Sequence, residues 1–243
     1  MEGEPRSVED FAEVFATFRD SKEPILLVGG HAVNVWALSY YDRAQAEILP
    51  HEPLTSSDMD VYATRNALTW LSSVLGGKLY VGNPREIVIG AIELRIGEYM
   101  LTIEVLRSVK GVTDTELANR AVLSVSGYEI LVPLPHVLLK AKLSNALELE
   151  QDDRQDVKHV RLLAIVLREY LLDLAAVATK ENERELMEIV RDSVKVMKSE
   201  DAEAFEKKYG MRFDDFLPLG SLAKASTKLA TFVEVEFKKR YRA

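Results

Sequence analysis

Asp58 and Asp60 stand one residue apart in the run Thr55-Ser56-Ser57-Asp58-Met59-Asp60-Val61. In a strand, residues i and i+2 point to the same side, so the two acids come together while Met59 and Val61 face the other way. Two carboxylates held side by side repel, and a divalent cation is the usual partner that makes the arrangement favourable. Mg²⁺ takes a few carboxylates and completes its shell with phosphate oxygens and water, and Mn²⁺ is the alternative ion for such a pair. Read alone, the pair is as often plain surface charge. Glu104 sits in apolar strand text between Ile103 and Val105. If that strand neighbours the Asp58 strand, Glu104 becomes a third carboxylate of one metal centre, and such a site can deprotonate an acceptor hydroxyl and hold the second ion of an in-line displacement. Glu93, between Ile92 and Leu94, competes for this place. Arg95, two positions on, offers Glu93 an ordinary ion pair, so Glu93 is expected outside the pocket.

Gly29-Gly30 closes the short apolar strand Ile25–Val28 and opens a helix. Glycines let a backbone approach a phosphate, and the first turn of a helix offers unpaired N–H groups and partial positive charge. A tight strand-to-helix turn is the bland alternative. His31 lies in that turn and reads equally as a substrate contact or a packing residue. Ser56 and Ser57 can add hydroxyl donors to the same phosphates.

These groups need elements to hold them. Ser7 with Asp10 is a capping box, opening a helix with Val8, Phe11, Phe15 and Phe18 on one face. After Gly30, Val33, Trp36, Ala37 and Tyr40 fall on one helical stripe. Tyr41 to Thr55 loses the period and contains Pro50 and Pro53, and so reads as a long loop or insertion. Asp58–Ala63 reads as a strand, followed by a helix through Leu68, Leu71 and Leu75 that stops at Gly76-Gly77. Glu86–Ile96 and Tyr99–Leu106 form a hairpin through Gly97-Glu98. A short helix at Asp114–Arg120 and a strand at Tyr128–Val132 follow. Beyond Pro133 and Pro135, helical periods dominate. The expected fold class is α/β (α+β): residues 1–134 as a mixed-sheet domain with flanking helices, and residues 135–243 as a helical bundle.

The 243 residues are 47% hydrophobic, enough to bury a large core. The absence of cysteine excludes disulfides and thiol nucleophiles. Acids outnumber bases 39 to 31, a formal net charge of −8, which argues against a surface that binds nucleic acid over its whole extent. The apolar runs are too short for a membrane span, and the acidic MEGEPRSVED start lacks the order of a secretion signal. The expected compartment is the cytoplasm, with no membrane partner.

LLVGGHAVNVWAL followed by TSSDMDVYA resembles the DNA polymerase beta-type nucleotidyltransferase superfamily, whose signature is a glycine pair opening a helix, a carboxylate pair on a strand and a third carboxylate on a later strand. The nearest flavour is the AbiEii-like group of abortive-infection and toxin–antitoxin systems. Its lysine-bearing helix is similar to LLKAKLSNALELEQDDRQDVKHV, with Lys142 matching the lysine and Asp156 the acid after it. The resemblance covers roughly residues 24 to 160. It departs from the pattern in the length of the Gly30-to-Asp58 stretch, in Glu for Asp at the third carboxylate, and in Lys158-His159 where a final Asp is common.

It implies Mg²⁺-dependent transfer of a nucleotidyl group from a nucleoside triphosphate such as ATP, with pyrophosphate leaving. Asp58, Asp60 and Glu104 would be catalytic and metal-holding; Gly29, Gly30, Ser57, Lys142 and Asp156 would bind substrate. Lys142 and Asp156 are expected to face the carboxylates across a cleft. The acceptor is open among RNA (tRNA included), protein and small molecules, and an antitoxin protein is the implied partner of a toxin. Two other readings stand beside this one. A glycosyltransferase also uses D-x-D, but would want a longer nucleotide-binding domain. A non-catalytic nucleotide- or partner-binding module could keep the fold and lose the chemistry.

Overall fold

A computed structural model describes residues 4–83 and 85–241 of the chain. Its elements follow from local chemistry. Strand β1 (Arg6–Ser7) runs into a 3₁₀ turn, Val8–Phe11, and helix α1 (Ala12–Phe18). The capping box is present: the Asp10 carboxylate accepts from the Ser7 N–H at 2.9 Å, and Val8, Phe11, Phe15 and Phe18 are all buried. Strand β2 is only Leu26–Leu27, and helix α2 is Gly29–Ser39. The anticipated stripe on α2 understates its burial, for every residue from Gly30 to Ala37 is buried. Nearly all of those side chains are small or apolar, so no polar face marks a solvent side.

The segment from Tyr41 to Thr55 is not a loop. Helix α3 (Tyr41–Ile48) and a 3₁₀ turn, Leu49–His51, lead to strand β3 (Thr55–Ser56). Tyr40, Ala44 and Ile48 are buried at a spacing of four, which suffices to seat one face of a helix. Strand β4 (Met59–Tyr62) precedes helix α4 (Arg65–Leu75), which Thr64 caps by accepting from Ala67 N–H at 3.2 Å; Gly76 ends it at φ +67°. Strands β5 (Lys78–Val81), β6 (Val88–Ile96) and β7 (Tyr99–Leu106) follow, then helix α5 (Asp114–Leu117) and strands β8 (Arg120–Val125) and β9 (Tyr128–Pro133). Neither β5 nor β8 was anticipated, because KLYV and RAVLSV are short and lack a clean apolar alternation, and Val125 is the one buried residue among them.

The main sheet is mixed and seven-stranded, in the order β5-β6-β7-β4-β2-β9-β8, and β1 pairs with β3 separately. β4 is parallel to β7 and antiparallel to β2. One face is apolar: Met59, Val61, Ile92, Ile103 and Val105 are fully buried. Helix α4 lies against β6 and α1 against β9. Each such side chain contributes roughly 1.5–3 kcal/mol on burial, and these residues pin the register, because a one-residue slip would turn them all outward.

Helix α6 (Pro135–Glu148) contains the division between two compact units, one ending at Ala141 and the other starting at Lys142. Every described element of the second unit is helical: α7 (Asp156–Ala176), α8 (Glu183–Met197), α9 (Glu200–Tyr209), a 3₁₀ turn (Phe213–Phe216), α10 (Leu219–Ala225), α11 (Thr227–Thr231) and α12 (Lys238–Tyr241). α8 buries Leu186, Met187, Val190, Val194 and Met197 along one face. The single C-terminal helix expected over Ser221–Tyr241 is instead broken at Ser226, whose side chain caps α11 by accepting from Leu229 N–H, and it passes through a π-helical turn, Phe232–Phe237.

Candidate active site

The register of β4 on β7 places Asp60 directly beside Glu104, with Met59 level with Ile103 and Val61 with Val105. The apolar neighbours of each acid point into the core, so the alternation of the strand sends the acids to the opposite face. Asp58 lies just before β4, and one carboxylate oxygen from each of Asp58, Asp60 and Glu104 comes within 4.8 Å of the others. All three are half-buried. The Glu104 carboxyl is pushed above the ordinary glutamate range, first by burial and then by the negative charge of Asp58. A carboxyl held there is short of positive charge. A hard divalent cation with oxygen bonds of about 2.0–2.6 Å spans opposed oxygens about 4–5 Å apart, so this donor set fits one such ion with small side-chain adjustments.

Glu93 is on the same sheet face but opposite Thr102, two residues from the Glu104 position. The expected ion pair with Arg95 is not made. The Tyr80 hydroxyl donates to Glu93 Oε2 at 2.6 Å, and Arg95 Nε donates to the Gly97 carbonyl at 3.2 Å. Tyr80 reaches Glu93 from β5, the strand that sequence reading overlooked. The one available signal was the K-L-Y-V run directly after Gly77.

Gly29 is the glycine on which the site depends. It has φ +65°, and a Cβ there would fall 1.9 Å from Asp60 Oδ2 and 2.7 Å from Asp60 Cβ. The Asp60 carboxylate therefore packs against the backbone that opens α2, held by the Val28 N–H donating to the Asp60 carbonyl at 2.9 Å. Gly30, the next residue, is buried within the first turn. Ser57 is exposed, and its hydroxyl donates to Asp58 Oδ1 at 3.2 Å. Ser56 is committed to the β1–β3 pairing, opposite Arg6.

His31 takes its packing role. It is fully buried with an edge-on contact to Phe11 at 4.9 Å, and burial lowers its pKa to about 4 against a smaller opposing pull from Asp10. In the second unit, Lys142 is buried and donates to Asp156 Oδ1 at 2.8 Å; Arg154 donates to Asp156 Oδ2 at 2.6 Å. Burial pushes the Asp156 carboxyl upward, but the two cations outweigh it and hold it below its usual range. Lys140, two residues from Lys142, instead pairs with Glu116 at 2.6 Å in the first unit.

No family model matches the sequence, and no curated protein does. Among solved structures, the chain is similar to an antigenic nucleotidyltransferase-like protein from Paracoccidioides brasiliensis (16% identity, 66% of this chain and 78% of that one, TM-score 0.46). It is also similar to ANT(2")-Ia in complex with adenylyl-2"-tobramycin (14% identity, 65% and 87%, TM-score 0.42). The first is nucleotidyltransferase-like by name, and the second is a complex with an adenylylated tobramycin.

Proposed function

We propose that the first unit carries a metal-dependent nucleotidyltransferase site that moves a nucleotidyl group from a nucleoside triphosphate to an acceptor. The observation that carries the reading is the pairing of Asp60 with Glu104 across β4 and β7, with Asp58 in the same cluster and Gly29 packed on Asp60. Asp58, Asp60 and Glu104 would hold Mg²⁺ or Mn²⁺, which when bound supplies charge stabilisation at the phosphoryl oxygens. Gly29 and Gly30 let the triphosphate approach the N–H groups opening α2, where negative charge is favoured. The Ser57 hydroxyl orients Asp58 and can turn to a phosphate oxygen. Glu104 accepts the proton of the attacking group, a task suited to a carboxyl held above its usual range.

Lys142 remains a proposed substrate contact, with Asp156 orienting its ammonium. The resemblance to the AbiEii-like group extends the proposal to a toxin of a toxin–antitoxin pair, acting in the cytoplasm on RNA, protein or a small molecule. No described helix is long and apolar enough to cross a membrane.

The test measures Mg²⁺-dependent binding of each common nucleoside triphosphate by thermal shift, and pyrophosphate release with candidate acceptors. Binding that needs Asp58 and Asp60, followed by pyrophosphate release, is the expected result. Absence of metal-dependent nucleotide binding would refute the reading. Nucleotide binding without release on any acceptor would favour a non-catalytic nucleotide-binding module on the same fold.

A further inference from the structure

We propose that β8 is a self-association edge: two copies of this chain join their β8 strands antiparallel, about a twofold axis through Val122, and continue one sheet into the next. β8 ends the seven-stranded sheet, three strands from β4 and its carboxylates, and its outer side has no strand partner among the described residues. An open edge is a template for another strand, and proteins that keep one open blunt it with lysine, proline, a bulge or short length. β8 has none of these. Its six residues, Arg120–Val125, pair with β9 in unbroken register and include neither lysine nor proline. The opposite edge, β5, is four residues long and opens with Lys78.

The turn between β8 and β9 fixes which groups face outward. Ser126 and Gly127 have φ 51° and 84°, as a two-residue hairpin turn of type I′ requires, so Val125 and Tyr128 exchange both main-chain hydrogen bonds. Bonded pairs alternate with unbonded ones along an antiparallel ladder. Leu123 and Ala121 therefore bond to β9 as well, while Arg120, Val122 and Ser124 turn their N–H and C=O groups outward. Pro133, which has no N–H, stands opposite Arg120, in a pair that asks for none.

An antiparallel partner must match outward residues to outward residues. One register of β8 on itself uses all three: Val122 meets its own copy, and Arg120 meets Ser124 of the partner subunit. Any slide loses pairs. Val122, 57% exposed, is then covered by the other Val122, and on the opposite face the half-buried Leu123 adjoins Ala121 of the partner subunit. Charge selects the same register. Glu129 is level with Ser124, on the face that carries Arg120 and Val122. Arg120 and Glu129 are exposed, and neither has an ion-pair partner among the described residues. In the joined sheet Arg120 stands two strand spacings, roughly 10 Å of backbone, from Glu129 of the partner subunit, with the small Ser124 side chain between them. Two long side chains close that distance, and the twofold makes the contact twice. This self-match in main-chain, apolar and charged groups points to a second copy rather than a foreign strand.

The test takes the full chain through sedimentation velocity over about a hundredfold range of concentration. A dimer that grows with concentration is expected, with slowed hydrogen exchange at the amides of Arg120, Val122 and Ser124. The amides of Ala121 and Leu123, already bonded to β9, should not change. Arg120→Glu should weaken association about tenfold, because the twofold doubles the effect of one exposed pair. Glu129→Arg should do the same, and the two changes together should restore the dimer. Val122→Pro should leave the monomer folded, since the N–H it removes points outward, and abolish the dimer. A chain that stays monomeric throughout, a dimer whose Val122 amide exchanges as in the monomer, or a charge swap that does not recover association would overturn the proposal. Protection of these amides only by a different protein would give the edge to a foreign strand and overturn it equally.

Discussion

Replacing Glu104 by Gln should stabilise the metal-free protein while disabling the site. Asp58, Asp60 and Glu104 present oxygens within 4.8 Å of one another, so Glu104 repels two neighbours at close range. At that separation each pair costs roughly 1 kcal/mol in a water-like medium and about 3–4 kcal/mol at an effective dielectric of about 20. The groups are half-buried and screened by solvent, so the lower end applies and the two pairs sum to about 2 kcal/mol. The pH course identifies the cause. The Glu104 carboxyl is raised from 4.5 by burial and then by Asp58, so the unfolded chain gives up this proton first. Stability from this group is complete below about pH 4.5 and is lost as pH rises through the raised folded value. Urea denaturation in EDTA, run from about pH 4 to about pH 8, should therefore show the variant and the unmodified protein alike at the acid end and diverging toward neutrality. The divergence should reach about 2 kcal/mol, or a gain of several degrees in melting temperature. Adding Mg²⁺ should stabilise the unmodified protein more than the variant and close the gap. If metal-free Glu104→Gln is no more stable at neutral pH, the three carboxylates do not strain one another and the metal argument fails.

Gly29→Ala should abolish Mg²⁺-nucleotide binding, since its Cβ would overlap Asp60 and the residue holds φ +65°; unchanged binding by calorimetry would show that Asp60 need not occupy its present position. Asp156→Asn should destabilise the second unit by about 3–5 kcal/mol, because Lys142 is left buried without its counter-charge, whereas replacing Lys142 and Asp156 together by apolar residues should cost much less. Equal losses in the two variants, measured by chemical denaturation, would contradict that account. His31 has its pKa lowered from 6.5 to about 4, so it favours the fold above about pH 6.5 and this contribution drains as pH falls toward 4. His31→Phe should lessen that acid sensitivity by up to about 3 kcal/mol, and an unchanged acid profile would exclude His31 as its source.

The carboxylate centre was legible because strand alternation is a strict geometric rule. Met59 and Val61 had to face the core, which left Asp58 and Asp60 no other side, and Val105 did the same for Glu104. The partner of Glu93 was not legible, since it comes from β5, whose exposed residues show no apolar period. The same limit hid α3: its buried set, Tyr40, Ala44 and Ile48, is interleaved with Asp42, Arg43 and Glu47, and the prolines beyond it resemble loop punctuation. The roles of the two glycines could not be separated by type. Only the backbone shows that Gly29 abuts Asp60, while Gly30 lies inside the turn.

Helix α6 is shared between the two halves of the chain. Its Lys140 answers to Glu116 in the first, and Lys142, half a turn later, answers to Asp156 in the second. A gene fragment ending at Ala141 would truncate the helix after two turns, with Val137, Leu138 and Leu139 at a frayed end, and would leave Lys142 as the first residue of the other piece, without the preceding turns that hold its ammonium on Asp156. Neither half can then be excised cleanly at its own border, and a workable fragment must carry the whole helix. The same geometry would have constrained exchange of this module between genes, because a partner sequence joined here inherits only half of a helix.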